Sequence, residues 1–217
     1  MYSRIDVLKA LPDNFIPIWY EFMFRGNAVQ RILSAHSECA WEKTWCSSPD
    51  PSNVYPLDFP ETHLSYLGSD DNIKRLGESE SHAWAHTGFG LHHLDQNTIK
   101  KFMQAAKTHK DKLVFFSQHP DEEAIISIKK RNVFLYSSKP FTRPFKDKKL
   151  PQTVLPINKD NVFNIDIAKL FSDDYIIFLQ EYNEIVDYFN FTPKPNAIRA
   201  FILRYLEREK HVSLAKS

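Results

Sequence analysis

Four short segments carry the side chains that could do chemistry. In the first, Arg25-Gly26-Asn27 stands between an apolar run and a helical pattern. A glycine there lets the backbone approach a phosphate. The helix start behind it offers free N–H groups through Ala28, and Arg25 adds a full charge on a planar fork. The motif lacks the Lys-Ser/Thr ending of an ATP-type P-loop, so an ordinary strand-to-helix turn is the competing reading. The second segment is Ser117-Gln118-His119-Pro120. A histidine at a strand tip titrates near neutrality, as a general base must, although a histidine that only contacts its loop fits as well. The third is Ser137-Ser138-Lys139, followed by Thr142, Arg143, Lys146, Lys148 and Lys149. Hydroxyls and cations after a strand suit a phosphate; a lysine-rich loop is also an ordinary solvated surface. The fourth, "SHAWAHTGFGLHHLD", holds His82, His86, His92 and His93. His82 and His86 have the i, i+4 spacing that chelates a metal on a helix. Gly88 and Gly90 interrupt such a helix and no Glu lies between the histidines, so no metal is assigned.

These segments need elements that bring them to one edge. "IWYEFMF" (18–24) reads as a buried strand, and Val29, Ile32, Leu33 and His36 follow helical spacing after it. Residues 39–68 are rich in Ser, Pro, Asp and Trp and read as an irregular excursion. Ile99, Phe102, Met103 and Ala106 mark an amphipathic helix capped by Asp95 or Asn97. "KLVFFSQHP" is then a strand, "DEEAIISIKK" a helix with acids first and lysines last, and "NVFLYSS" another strand. This strand–helix–strand spacing predicts a parallel sheet. In such a sheet, ligands sit outside the carboxyl ends of the strands, where the first three segments fall. "NVFNID" reads as a last short strand. Two helices close the chain, one with a stripe of Phe178, Tyr182, Ile185 and Phe189, the other with Ile198, Phe201, Ile202, Tyr205 and Leu206.

Composition narrows the function classes. A net charge of +1 gives no global attraction to nucleic acid or anionic membrane, so any anion site must be local. No run of about eighteen apolar residues occurs, so no membrane span is expected. The N-terminal stretch holds acids and no long apolar core, unlike a signal peptide. Cys39 and Cys46 are the only cysteines, and both are expected to be reduced thiols of a cytoplasmic protein.

With these positions marked, the order of parts resembles the sulfotransferase family, thinly but over nearly the whole chain. The opening strand, Arg25-Gly26-Asn27 and "RILSAH" resemble that family's 5′-phosphosulfate loop and following helix. "FFSQHP" resembles the strand ending in Lys-Thr-His-x-Pro, and the match to the catalytic base falls on His119. "RNVFLYSSKPF" resembles the next strand, which binds the 3′-phosphate. "NIDIAKLFSDDYIIFLQEYNEIVDYFNF" resembles the late Tyr-Glu-Asp-Leu segment and its helix. The chain departs from the pattern where Arg25 is the only base in its loop, where Ser137 replaces an arginine, and where a late Gly-rich, Lys-bearing segment is missing.

The resemblance implies an α/β protein with a central, mostly parallel sheet flanked by helices. This P-loop-like sulfotransferase architecture would form one domain over 1–217, with irregular insertions at about 39–94 and 139–156. It implies the donor 3′-phosphoadenosine 5′-phosphosulfate (PAPS), no metal, and a hydroxyl-bearing carbohydrate or small-molecule acceptor. Arg25 and His119 would be catalytic. Arg25, Gly26, Asn27 and Ala28 would hold the phosphosulfate, and Ser137, Ser138, Lys139 and Arg143 the 3′-phosphate. The alternative is a non-catalytic binding or structural protein on the same scaffold. A metal-dependent hydrolase built on the histidine segment is a third reading.

Overall fold

The computed structural model describes residues 4–21, 24–39, 107–118, 120–140 and 155–214. In chain order these form α1 (Arg4–Ala10), β1 (Phe15–Trp19), α2 (Gly26–Ser34), β2 (Val114–Gln118), α3 (Glu122–Ser127), β3 (Asn132–Tyr136), β4 (Val162–Asp166), α4 (Ile167–Leu170), α5 (Tyr175–Phe189) and α6 (Pro195–Leu214). The helix expected to begin near Asp95, the histidine segment, His119 and Arg143 lie outside the described residues, as do most of both insertions.

All four strands are parallel, in the order β2-β1-β3-β4. β2 and β3 flank β1 on opposite sides, so the chain reverses its direction of winding between β1 and β3. Side chains of one strand alternate between the two faces. Ile16, Ile18, Phe115, Val133, Leu135 and Ile165 bury one face against apolar residues of α2, α5 and α6. Phe15, Trp19, Val114, Phe116, Phe134 and Val162 bury the other against α1 and α3. Both faces are covered, which is why the strands read as continuous apolar runs without polar alternation. The expected α/β sheet is present.

The first strand is displaced from its expected position. It spans 15–19 and runs through Pro17, whereas the sequence places it at 18–24. A proline has no N–H to give and argues against a central strand. Here β1 pairs with β2 from Phe15 onward, but its pairing with β3 starts only at Ile18, just past the proline. Tyr20 and Phe24 are buried from a loop, where an N–H from Phe24 reaches the Glu21 carbonyl at 3.0 Å. Apolar residues there fill the core without joining the sheet. The expected strands near 113–118 and 133–137, and the last at "NVFNID", match β2, β3 and β4.

The closing helices match their stripes. Phe178, Tyr182, Ile185 and Phe189 of α5 are buried, as are Ile198, Phe201 and Ile202 of α6. Asp174 caps α5 by accepting N–H bonds from Ile176 and Ile177, and Asn190 ends it in the left-handed region at φ 54°. Pro195 opens α6, where its missing N–H costs no helical bond.

His36 ties α2 to these helices. Its ring is buried and stacks on Phe191 at 4.2 Å between centroids. The Tyr182 hydroxyl accepts the Lys194 N–H at 2.7 Å and lies 3.0 Å from His36 Nε2. Tyr182 can thus donate to Nε2, leaving Nδ1–H to donate to the Leu33 carbonyl at 3.1 Å. Burial lowers the His36 pKa below its ordinary value and keeps the ring neutral. Cys39 donates its thiol hydrogen to the same carbonyl; it is a free cysteine, and burial raises its pKa to about 12. The His36→Ala variant is expected to lose about 2–3 kcal/mol of stability, from an empty stacking site and an unmatched buried hydroxyl. Urea unfolding measures it, and a loss under about 0.5 kcal/mol would deny His36 this role.

Candidate functional site

The site follows from the winding. In an open parallel sheet, a crevice forms at the carboxyl edge where neighbouring connections leave in opposite directions. Here that point lies between β1 and β3. The segment after β1 runs through Tyr20 to Arg25 and enters α2; the segment after β3 is Ser137-Ser138-Lys139. Two of the segments singled out in the sequence therefore follow the two strands that flank the reversal.

The N-terminus of α2 is electropositive. The first helical bond runs from the Val29 N–H to the Arg25 carbonyl at 3.0 Å. The amides of Gly26, Asn27 and Ala28 precede it and have no acceptor within the helix. No acidic residue stands in the first turn and no side chain caps the end. The contrast with α3, α4 and α5 is plain, since Asp121, Asp166 and Asp174 supply a carboxylate at each of those starts.

Arg25 adopts the left-handed region at φ 57°, ψ 25°. For a non-glycine residue this costs roughly 1–2 kcal/mol. Its guanidinium lies over the Phe171 ring at 4.6 Å and near the Tyr205 ring at 5.8 Å. Gly26 has a packing reason to be glycine. A Cβ there would come within 2.3 Å of the Tyr20 ring. The expected close approach to a phosphate is thus preceded by a close approach to an aromatic side chain.

The second segment is partly committed to the fold. Ser137 is buried, and its hydroxyl donates to the Lys139 carbonyl at 2.7 Å. The Ser138 N–H donates to Asp166 Oδ1 at 3.1 Å. The Ser138 and Lys139 side chains remain exposed. Of the proposed 3′-phosphate contacts, those two are presented to solvent, while the Ser138 amide already has a carboxylate acceptor.

Sequence reasoning missed that carboxylate and its neighbour. Asp166 ends β4 beside Tyr136 in the register and is fully buried. Its Oδ1 also accepts the Ala168 N–H at 3.0 Å, which starts α4. Glu181 of α5 is 3% exposed, and its Oε1 accepts the Asp166 N–H at 2.7 Å. Lys169 stands 3.8 Å from its other oxygen. Burial pushes the Glu181 pKa from 4.5 up to about 7, against the Asp166 N–H and the Lys169 charge, which favour the carboxylate. An aspartate at a strand end followed by helix-forming residues is the one sequence signal for this pair.

A raised folded-state pKa means that the native chain binds the proton more tightly. The contribution is full below the unfolded value of 4.5 and is lost as pH rises through about 7. A shift of this size corresponds to roughly 3 kcal/mol. His36 works in the opposite direction: its lowered pKa costs stability as pH falls below 6.5. Glu181→Gln is expected to flatten the fall in melting temperature between pH 4.5 and 7. An unchanged pH profile in that variant would show that Glu181 titrates normally.

Glu38 is a second perturbed acid, away from this edge. Burial opposes its charge, but Thr192 donates both its hydroxyl (2.6 Å) and its amide (2.7 Å), and the pKa is held near 2. Among the described residues no group of three or more His, Cys, Asp or Glu could hold a metal, and no helix is long and apolar enough to cross a membrane. No family model, curated protein or solved structure matches this chain.

Proposed function

We propose that the protein is a sulfotransferase-like enzyme of P-loop-related architecture. It holds PAPS across the β1–β3 reversal and passes the sulfuryl group to a hydroxyl on a carbohydrate or small molecule. The observation that carries this reading is the α2 start: three amides without helical acceptors, no acid in the first turn, and a guanidinium at the cap, all following the strand beside the reversal. Helix N-termini with this character favour anions.

The residues fit the phosphosulfate end of the donor better than the other end. A guanidinium carries a full positive charge and planar N–H donors of a geometry that matches phosphate oxygens. Arg25 and the amides of Gly26, Asn27 and Ala28 would hold that end. At the 3′ end the Ser138 hydroxyl, the Lys139 ammonium and Arg143 would serve. When bound, PAPS supplies an activated sulfuryl group whose leaving phosphate gains negative charge. Arg25 and the α2 amides are suited to that charge, because fixed donors need no rearrangement as it develops. His119 would take the proton from the acceptor hydroxyl.

A second reading has its own support. The Ser138 amide is bound to Asp166, and the Tyr20 ring fills the side of Gly26. Both favour a binding protein on this scaffold without turnover. Calorimetric titration with 3′,5′-adenosine bisphosphate, set beside adenosine 5′-monophosphate and adenosine, separates the readings. The enzyme reading expects a dissociation constant on the order of micromolar that weakens with added salt, and weaker binding without the 3′-phosphate. Equal or absent binding of all three would remove it.

A further inference from the structure

We propose that Asp166 and Glu181 form a buried two-step support that positions the Ser138-Lys139 segment for an anionic ligand and makes the affinity for that ligand depend on pH. This rests on the reading of Ser138 and Lys139 as ligand residues. The first step is Asp166. Its Oδ1 accepts both the Ser138 N–H at 3.1 Å and the Ala168 N–H at 3.0 Å. One carboxylate at the end of β4 thus fixes the segment after β3 and the start of α4 together. The Ser137 hydroxyl holds the Lys139 carbonyl at 2.7 Å. The backbone at 138 and 139 is therefore fixed from within the fold, while both side chains stay exposed.

The second step is Glu181, whose Oε1 accepts the Asp166 N–H at 2.7 Å. Both acids are buried, and Asp166 Oδ2 has no hydrogen-bond partner among the described residues. A second negative charge beside it is costly, because water does not screen it there. Among the described residues, the titratable groups around Glu181 are Asp166 of β4, Lys169 of α4 at 3.8 Å, the exposed Glu184 of α5 and the half-buried Tyr136 of β3. Of these, Lys169 alone favours the charged form; burial outweighs it and pushes the Glu181 pKa up to about 7. A phosphate arriving at Ser138 and Lys139 brings further negative charge toward the same pair. It favours protonated Glu181, so by linkage the protonated chain binds the phosphate more tightly. Affinity is therefore full below about pH 7 and falls as pH rises beyond it.

The test is titration of the full chain with 3′,5′-adenosine bisphosphate at about pH 7 and about pH 9, both above the second ionisation of a phosphate near ~6. Wild-type affinity is expected to fall about two- to fivefold between them. Glu181→Gln, which stays neutral, is expected to bind equally well at both. Asp166→Ala is expected to weaken binding about tenfold at the lower pH, and Asp166→Asn, which keeps an oxygen acceptor, to stay within about threefold of wild type. A purely structural role for Glu181 predicts the same fall with pH in the glutamine variant and would overturn the proposal, as would wild-type affinity in Asp166→Ala. If the glutamine variant does not fold, the Ser138 amide resonance of the wild-type chain is followed with pH instead. A titration midpoint near 7 is then expected, and its absence would overturn the proposal. Absence of any nucleotide binding by the wild-type chain would remove the reading of Ser138 and Lys139 and this proposal with it. Binding of equal strength at both pH values in the wild-type chain would remove this proposal alone.

Discussion

Alanine in place of His119 is expected to lower the proposed sulfuryl transfer by about 100- to 10,000-fold, the range typical for removal of a general base. Affinity for 3′,5′-adenosine bisphosphate is expected to stay near the wild-type value, because a base that serves the acceptor would not touch the nucleotide. The split between rate and affinity is what identifies the role. A residue that merely supports the strand tip would lower both together through loss of folded protein. His119 directly follows Gln118, the residue that closes β2, and β2 lies next to β1 in the sheet. A strand tip there borders the edge to which the Arg25 segment also leads. Turnover at the wild-type rate in this variant would transfer the base role to His86, His92 or His93.

Alanine in place of Arg25 is expected to weaken nucleotide binding about ten- to hundredfold. That matches the roughly 1.5–3 kcal/mol of a hydrogen bond to a charged group removed from bulk water. The variant leaves the backbone strain at the cap in place, since alanine tolerates the left-handed region no better than arginine. Two rings lose their cationic partner at the same time. Some stability is therefore expected to be lost with the ring contacts whatever the ligand, and affinity is the informative quantity. The salt dependence of binding should become shallower in Arg25→Ala, because one charge fewer faces the ligand. Unchanged affinity would count against Arg25 as a ligand residue.

Much of the scaffold was legible in the sequence because burial on both faces leaves a clear mark. "LVFFSQ" and "NVFLY" are apolar at consecutive positions, and only a covered sheet accepts that pattern in short segments. The helical stripes of α5 and α6 were legible for the same reason. β1 was misplaced by three residues at its start because Pro17 carries a local rule that the tertiary context overrode. Its far end was misread because Tyr20 and Phe24 are apolar for the core and not for the sheet.

The site was legible only in its local part. A cation ahead of a helix start is visible in a single sequence, and so is a hydroxyl pair after a strand. The groups that decide what those residues do come from far along the chain. Asp166 reaches the Ser138 amide across 28 positions, and the rings beside Arg25 belong to α6 and the end of α4. No spacing rule connects them. Gly26 illustrates the same limit within one loop: its neighbour Tyr20 is close in sequence, but only the folded loop brings the ring against it.

The central claim is that one nucleotide lies across the reversal between β1 and β3. Amide chemical-shift mapping with 3′,5′-adenosine bisphosphate tests it most directly. The predicted result is a saturable set of shifts concentrated at Arg25, Gly26, Asn27 and Ala28 and at Ser138 and Lys139, with the amides of α1 and α3 unmoved on the sheet's other face. Shifts centred on a different edge of the sheet, or none at nucleotide concentrations well above micromolar, would contradict the account.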